Sequence, residues 1–195
     1  LRQPDGCFRL STSHGEVTAR RLVNAAGANA GSVAAMLGLR LPLLAEAIQV
    51  SVSEPAAPLV SHLVYFAGGR LTLKQSAQGT CLIGGGWPAA WSRRNGRPVV
   101  SLRSLRDNLR IACHVVPALA GLQLVRTWPA IVNGTADWKP VLGAVPGIPG
   151  YYMNFFPWLG FSAGPIAARI VADIVLGKDP GWDMRLFGAE RYGIG

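Results

Sequence analysis

Apolar residues recur at helical spacing near the carboxyl-terminal end of the chain. Isoleucines occupy every fourth position from Ile166 to Ile174, and valines and alanines lie beside them on the same face. This stripe predicts an amphipathic helix. We expect it to open near Pro165, because proline suits a first helical turn, and to close at Gly177, which suits a left-handed cap.

The residues ahead of this helix predict a strand over 151–155 and a proline- and glycine-containing turn over 157–160. Where a strand, a turn and a helix start meet, backbone N–H groups converge and favour an electron-rich ligand. An ordinary strand–turn–helix packed in a core explains the same residues.

The rest of the chain alternates between strand and helix patterns. Strand patterns cover 7–12 and 17–24, which form a hairpin, then 48–53, 63–66, 71–75, 80–83 and 122–128. Helix patterns cover 29–39 and the residues from Pro98 to Val116, with a loop over 87–97 between the last strand of the middle region and the second helix. The strands at 71–75 and 80–83 pair across a Gln78-Gly79 turn. The sequence therefore predicts an α+β fold.

Composition narrows the class of protein. Half of the 195 residues are hydrophobic, 15% are charged, and the chain has 24 glycines and 14 prolines, which is typical of a globular protein rich in turns. The net charge of +9 would permit a nucleic-acid partner, but the arginines are scattered and form no binding motif, so we expect none. A basic module that binds anionic surfaces is the weakest alternative.

Cysteine spacing and the lack of targeting segments indicate the cellular compartment of the protein. Cys7, Cys81 and Cys113 form no C-x-x-C pair, which argues against zinc and disulfide frameworks and fits a reducing compartment. No signal peptide and no run long enough to span a bilayer are seen, so we expect a cytoplasmic protein, with peripheral association at the inner face of the membrane left open. Leu1 begins within a strand-like passage, which suggests a fragment of a longer protein.

Two separated motifs carry a resemblance to a known family. The first runs from Thr135 to Gly143 (TADWKPVLG) and continues through PGYY at 149–152 and GFSAGP at 160–165. The second is VNAAGA at 23–28. Together they resemble the D-amino-acid oxidase and glycine/sarcosine oxidase-like FAD-dependent oxidoreductases, the DAO family.

The resemblance implies a division of the chain. Residues 1–40 and 131–195 would be parts of an α/β FAD-binding domain, and residues 41–130 an antiparallel substrate domain that forms a roof over the flavin. The implied FAD-binding residues lie in both motifs: Val23, Ala25, Ala26, Gly27, Gly143, Trp158, Leu159, Gly160 and Phe161. The helix from Pro165 would point its positive end at the flavin edge where charge accumulates on reduction.

The resemblance also implies a reaction. A hydride would pass to flavin N5 from the carbon beside the amine nitrogen of an amino acid or secondary amine, and water would hydrolyse the imine. No side chain is assigned as a general base, because the protein mainly orients the substrate in such chemistry. The partners implied are an amine or amino-acid substrate and a complementary subunit or electron acceptor.

Candidate substrate residues are Tyr65, Trp128, Arg126 and Lys139. Tyr65 could line a pocket or be a core tyrosine. The glycine oxidases carry a carboxylate-binding arginine where this chain has Val132, so Arg126 and Lys139 become the candidate anchors.

Two further departures from the family bear on activity. The oxygen-activating lysine of monomeric sarcosine oxidases corresponds to Ile83, which favours a dehydrogenase over an oxidase. No strand–G-x-G-x-x-G–helix unit is present to hold the ADP half of FAD. A catalytically incomplete fragment or scaffold subunit is therefore the alternative function.

Overall fold

A computed structural model describes residues 6–193 and shows a mixed helix and sheet protein, which confirms the α+β prediction. The strands are β1 Phe8–Thr12, β2 Gly15–Ala19, β3 Leu22–Asn24, β4 Leu43–Pro55, β5 Val64–Phe66, β6 Leu71–Gln75, β7 Thr80–Pro88, β8 Ala90–Trp91, β9 Pro98–Val99, β10 Leu124–Thr135, β11 Val141–Ala144 and β12 Tyr151–Phe155. The α-helices are α1 Ala30–Ala35, α2 Leu102–Val115 and α3 Gly160–Val175. The strand-like start predicted at Leu1 lies outside the described residues.

The chain forms two compact units. Unit 1 contains residues 1–45 and 132–195, and unit 2 contains residues 46–131. The assignment of these parts to flavin binding and substrate binding stays a prediction.

Unit 1 is built on a three-stranded sheet in the order β11-β12-β3. Strand β12 runs antiparallel to β11 and parallel to β3. Alternate residues of β12 face opposite sides, so Tyr151, Met153 and Phe155 pack in one core with Phe8 and Ala30. On the other side, the buried face of α3 packs over Leu142 and Tyr152 through Ala167, Ile170 and Val171. The sheet is thereby covered on both faces.

Unit 2 contains a five-stranded sheet in the order β10-β4-β7-β6-β5. Helix α2 packs on it over a core of Leu71, Leu73, Cys81, Ile83, Ala112 and Leu119. The predicted pairing of 71–75 with 80–83 is confirmed by the register of β6 and β7. The polar residues Gln49, Ser51 and Ser53 of β4 are buried, and their side chains hydrogen-bond Ser101, Thr127 and the Cys81 N–H.

Three predicted element boundaries are wrong. The strand predicted over 17–24 is two strands in different sheets, because the chain leaves the hairpin at Ala19 and starts β3 at Leu22. Pro98 belongs to β9; α2 begins after Ser101, whose hydroxyl accepts the Ser104 N–H as an N-cap. The helix predicted near Pro165 begins at Gly160, and Pro165 lies inside it.

The predicted helix over 29–39 and the predicted loop over 87–97 need smaller corrections, whereas the predicted end of α3 agrees with the structure. The helix predicted over 29–39 is a 3-10 turn at Gly27–Asn29 followed by α1, and β8 and β9 interrupt the loop predicted over 87–97. Gly177 has a φ of 72° after α3, as expected for a left-handed cap. Among residues 6–193, no helix is both long enough and apolar enough to cross a membrane.

Candidate functional site

The carboxyl ends of β3 and β12 lie at one edge of the unit 1 sheet. The two strands are parallel, with Asn24 opposite Met153, so the turns that follow them leave the sheet on the same side. Open sheets bind ligands outside the carboxyl ends of parallel strands. This edge carries Ala25, Ala26 and Gly27 after β3, and the segment 156–161 after β12.

Asn24 fixes the turn after β3. Its Nδ2 donates to the Ala30 carbonyl at 2.9 Å and to the Tyr151 hydroxyl at 2.8 Å, and its Oδ1 accepts the Ala26 N–H at 3.2 Å. The side chain is buried, whereas Ala25 and Ala26 are exposed. The network therefore holds a turn of small exposed residues against the sheet, and a ligand can approach its backbone closely.

Helix α3 presents an uncapped start at the same edge. Its N-cap is Leu159, which has no side-chain oxygen, and its first turn contains no acidic residue. The first N–H groups of an α-helix have no partner within the helix. Leu159 is 61% exposed and Phe161 is fully exposed, so apolar surface surrounds these donors.

Trp158 connects β12 to α3 in a left-handed backbone conformation, with φ of 58°. Its N–H donates to the Asn133 carbonyl at 3.0 Å, and Asn133 Nδ2 donates to the Phe156 carbonyl at 3.0 Å. The indole lies directly on Gly134, where an added Cβ would overlap the ring. Among the described residues, Trp158 Nε1 is the buried side-chain polar atom without a hydrogen-bond partner.

A second tryptophan stacks on the first. Trp138 also has a left-handed φ of 60°, and its ring lies 5.3 Å from that of Trp158 at an interplanar angle of 34°. The indole of Trp138 is 71% exposed. The two tryptophans therefore form an aromatic wall beside the start of α3.

Asp137, next to Trp138, is strongly acidic. Burial raises the pKa of this carboxyl, but the hydrogen bond from Arg191, the Lys139 N–H, the Arg191 charge and the Thr135 hydroxyl together hold the pKa at about 2. Asp137 is thus charged at neutral pH and paired with Arg191 at 2.9 Å.

The other predicted residues of unit 1 lie in different surroundings. Val23 is 41% exposed on β3. Gly143 is buried in β11 with φ of 104°, a conformation that favours glycine, and an added Cβ would make only an ordinary contact with Ile174 of α3 at 3.4 Å. Lys139 is half-buried, and its backbone carbonyl accepts bonds from Thr135 and Arg191.

The candidate substrate residues of unit 2 are not brought together within its sheet. Tyr65 lies on β5 at one edge and is 76% exposed, so the alternative of a core tyrosine is wrong. Arg126 and Trp128 lie on β10 at the opposite edge, where the guanidinium sits 5.7 Å from the indole centroid. Three strands separate these edges, which corresponds to about 19 Å at ordinary strand spacing.

Sequence reasoning missed three polar residues that shape this edge. Asn24 and Asn133 hold the turns, and Arg191 pairs with Asp137. The asparagine between Val23 and Ala25 was a usable signal, because an amide at the end of an apolar strand needs a hydrogen-bond partner. Nothing local marked Asn133 or Arg191, since Phe156 and Asp137, to which they bind, are distant in sequence.

The geometry defines a class: an α+β protein whose parallel-strand edge and uncapped helix start suit an electron-rich, flat ligand. Residues 1–174 match the model of the family described as FAD dependent oxidoreductase. The chain therefore belongs to the FAD dependent oxidoreductase family, and FAD is confirmed as the family's cofactor.

Relatives and solved structures agree with this membership. The chain is 28% identical to sarcosine oxidase subunit beta of Rhizobium meliloti over 94% of its length and 43% of that protein. It is 31% identical to D-amino acid dehydrogenase of Paramagnetospirillum magneticum, over 98% of this chain and 45% of the other. The structure of glycine oxidase from Geobacillus kaustophilus superposes with a TM-score of 0.82 at 27% identity, covering 94% of this chain and 48% of that one. The chain thus spans about half the length of the relatives it matches.

The residues at the sheet edge fit part of FAD. The first turn of α3 offers N–H donors at this edge, and Trp158 Nε1 is a buried donor without a hydrogen-bond partner among the described residues. Flavin oxygens are acceptors, and the isoalloxazine ring is flat and largely apolar, which matches the exposed Leu159 and Phe161.

Proposed function

We propose that the full-length protein is an FAD-dependent oxidoreductase that oxidises the CH–NH bond of an amino acid or secondary amine of the glycine, sarcosine, D-amino-acid or opine type. The observation that carries this proposal is the uncapped start of α3, with exposed apolar side chains around it, at the carboxyl edge of β3 and β12. Family membership supplies the redox class.

FAD, when bound, supplies the acceptor for the hydride that leaves the carbon beside the amine nitrogen. The N–H groups of Gly160, Phe161 and Ser162 would donate hydrogen bonds to negative charge at the helix start, and the helix dipole would add to their effect. No carboxylate in the first turn opposes them. These groups favour a more negative ligand without needing to move.

The turn after β3 contributes through its small side chains. Asn24 keeps Ala25 and Ala26 in one conformation, so their backbone can lie against a flat ring without reorganising. The aromatic wall of Trp138 and Trp158 adds apolar surface beside the same edge.

The substrate carboxylate requires a cation. Arg126 and Lys139 remain our candidates. Trp128, beside Arg126, remains a candidate for the wall of the substrate pocket, and Tyr65, at the opposite edge of the sheet, would line a separate part of it. Lys139 follows the aromatic wall directly in sequence, which favours it as the residue to test first. A bidentate arginine would bind a carboxylate more strongly, which keeps Arg126 in the test.

We propose that electrons pass to an acceptor other than oxygen, as in a dehydrogenase. Ile83, which stands in the place of the oxygen-activating lysine, is 2% exposed in the core of unit 2. A lysine there would be a buried charge, so its absence also has a structural reason. The choice of acceptor therefore stays a prediction that an assay must decide.

A scaffold role is the second candidate function. The match to a protein named as a subunit, sarcosine oxidase subunit beta, is the observation that favours it. A complementary subunit would then complete the site.

The test is an assay of the full-length protein with glycine, sarcosine, D-amino acids and opines, run once with a dye acceptor under argon and once with oxygen. Oxo-acid or aldehyde product that forms with the dye but not with oxygen supports the dehydrogenase. Product that forms with oxygen in the absence of the dye identifies an oxidase. Absence of product with every substrate, in a protein that binds no flavin, supports the scaffold role.

A further inference from the structure

Arg191 occupies a part-buried network near the carboxyl-terminal end of unit 1. It lies in the 3-10 turn Ala189–Tyr192, and its side chain is 15% exposed. Residue 191 lies beyond residue 174, where the match to the family model ends. Arg191 therefore lies outside the segment that carries the family match.

The guanidinium of Arg191 donates to acceptors on four different residues. Nε reaches Asp137 Oδ2 at 2.9 Å and Nη1 reaches the Gly188 carbonyl at 2.8 Å. Nη2 reaches the Lys139 carbonyl at 3.0 Å and the Tyr192 hydroxyl at 2.7 Å. Charge-assisted bonds in such a fork are stronger than those of an isolated surface ion pair.

Two of these acceptors flank Trp138. Asp137 precedes it and Lys139 follows it, so Arg191 holds the Asp137 carboxylate on one side of this tryptophan and the Lys139 backbone carbonyl on the other. Asp137 Oδ1 also accepts the Lys139 N–H at 3.2 Å, and the Thr135 hydroxyl donates to the Lys139 carbonyl at 2.9 Å. The turn that carries Trp138 is therefore fixed from the side of residues 188–192.

Trp138 needs such a clamp. A left-handed backbone is unfavourable for a residue with a bulky side chain, and its 71% exposed indole gains little burial that would offset the cost. Its ring contact is with Trp158, which is itself left-handed and precedes the N-cap of α3. If the turn that carries Trp138 were no longer held, we expect its ring contact with Trp158 to be lost before other contacts.

We infer that Arg191 is a positioning residue: by clamping Asp137 and the Lys139 carbonyl, it keeps Trp138 stacked on Trp158 and so preserves the aromatic wall at the flavin edge. The stacking part of this inference stands on the structure of unit 1. The flavin part rests on the proposed function.

The stacking part is tested on the full-length protein without added ligand. Two indoles in contact produce an exciton couplet in circular dichroism, and Trp138→Phe identifies which signal belongs to this pair. Arg191→Ala should lose that couplet, and Arg191→Lys should keep a fraction of it, because one ammonium cannot serve all four acceptors. The matched control is Arg185→Ala: Arg185 also pairs with an aspartate, Asp183, but both groups are exposed and their hydrogen bonds are to each other, not to residues 137–139.

Retention of the full couplet in Arg191→Ala overturns the inference. Should that variant fail to fold, Asp137→Asn replaces it, since it keeps the side-chain size and removes the charge that Arg191 binds. A couplet in Asp137→Asn equal to that of the Arg185→Ala control would equally overturn it.

The flavin part is tested by the FAD dissociation constant and by the absorbance spectrum of bound flavin. Arg191→Ala should weaken FAD binding about tenfold, matching the loss of one preorganised wall, whereas Arg185→Ala should not. Loss of the couplet with unchanged FAD affinity and spectrum overturns the link to the flavin edge. If the wild-type protein binds no FAD, the proposed function fails, and the couplet alone decides the role of Arg191.

Discussion

Asn24 and Tyr151 are 127 positions apart in the chain, and Asn24 Nδ2 donates a 2.8 Å hydrogen bond to the Tyr151 hydroxyl. The bond joins the end of β3 to the start of β12 across their parallel pairing. Both side chains are buried, and burial raises the pKa of Tyr151, with the Asn24 bond opposing that rise. A buried hydrogen bond in the core therefore stabilises the sheet edge that carries the candidate site.

Asn24→Ala should destabilise unit 1 strongly. The change removes three hydrogen bonds and leaves the Tyr151 hydroxyl and the Ala30 carbonyl without this partner, so we expect a loss of about 2–4 kcal/mol in the free energy of unfolding. Urea denaturation measures it.

Tyr151→Phe is the matched control for that change. It deletes one hydroxyl and keeps the ring in the core, so its cost should be about 1 kcal/mol. Equal costs for Asn24→Ala and Tyr151→Phe would mean that the Ala30 and Ala26 bonds contribute nothing.

Gly134→Ala should displace Trp158. An added Cβ would overlap the indole ring, so the ring must move or the strand must shift, at a cost of about 1–3 kcal/mol. The displacement should appear as a change in tryptophan emission. Gly121→Ala is the control, because an added Cβ there meets nothing within 4 Å, and it should leave tryptophan emission unchanged and stability within about 0.5 kcal/mol of wild type.

The Asp137–Arg191 pair should make stability depend on pH in acid. The folded pKa of Asp137 is about 2, below its ordinary value of 3.8, so the charged form is favoured by folding. The stabilisation is complete above about pH 5 and is lost as the pH falls through about 2.

The groups that face this carboxyl are Arg191, Tyr192, Thr135 and the Lys139 N–H. In urea titrations, the difference in unfolding free energy between wild type and Asp137→Asn should be constant above about pH 5 and should shrink toward pH 2. A difference that grows on acidification would contradict this assignment.

Much of the fold could be predicted where local pattern and packing agree. The strand at 151–155, the β6–β7 hairpin and the Gly177 cap follow from periodicity and glycine chemistry. The start of α3 could not, because its first turn has no capping side chain and Pro165 resembled an N-terminal signal. The buried polar face of β4 was also hidden, since its partners come from distant segments.

The candidate site could be located from its sequence motifs more than from periodicity, charge or capping signals. The segment 158–161 and the turn at 25–27 were predicted, and the structure places them on one sheet edge. The residues that hold nearby segments in place, Asn133 and Arg191, were not predicted. They act through hydrogen bonds to carbonyls and a carboxylate, which sequence periodicity does not reveal.

Ser162→Asp should separate helix stability from flavin chemistry. A carboxylate in the first turn of α3 complements the helix dipole and should stabilise the fold by about 0.3–1 kcal/mol. The same charge should oppose reduction of a flavin at this edge and lower its midpoint potential by about 10–20 mV. Ser162→Asn, which is neutral and of equal size, is the control and should leave the potential unchanged.

The measurement that tests the central claim most directly is anaerobic titration of the full-length protein with sarcosine, glycine, D-amino acids and opines, followed by visible absorbance. The account predicts a bound-flavin spectrum that one of these amines bleaches completely. A flavin that no amine bleaches, or a protein that binds none, would contradict it.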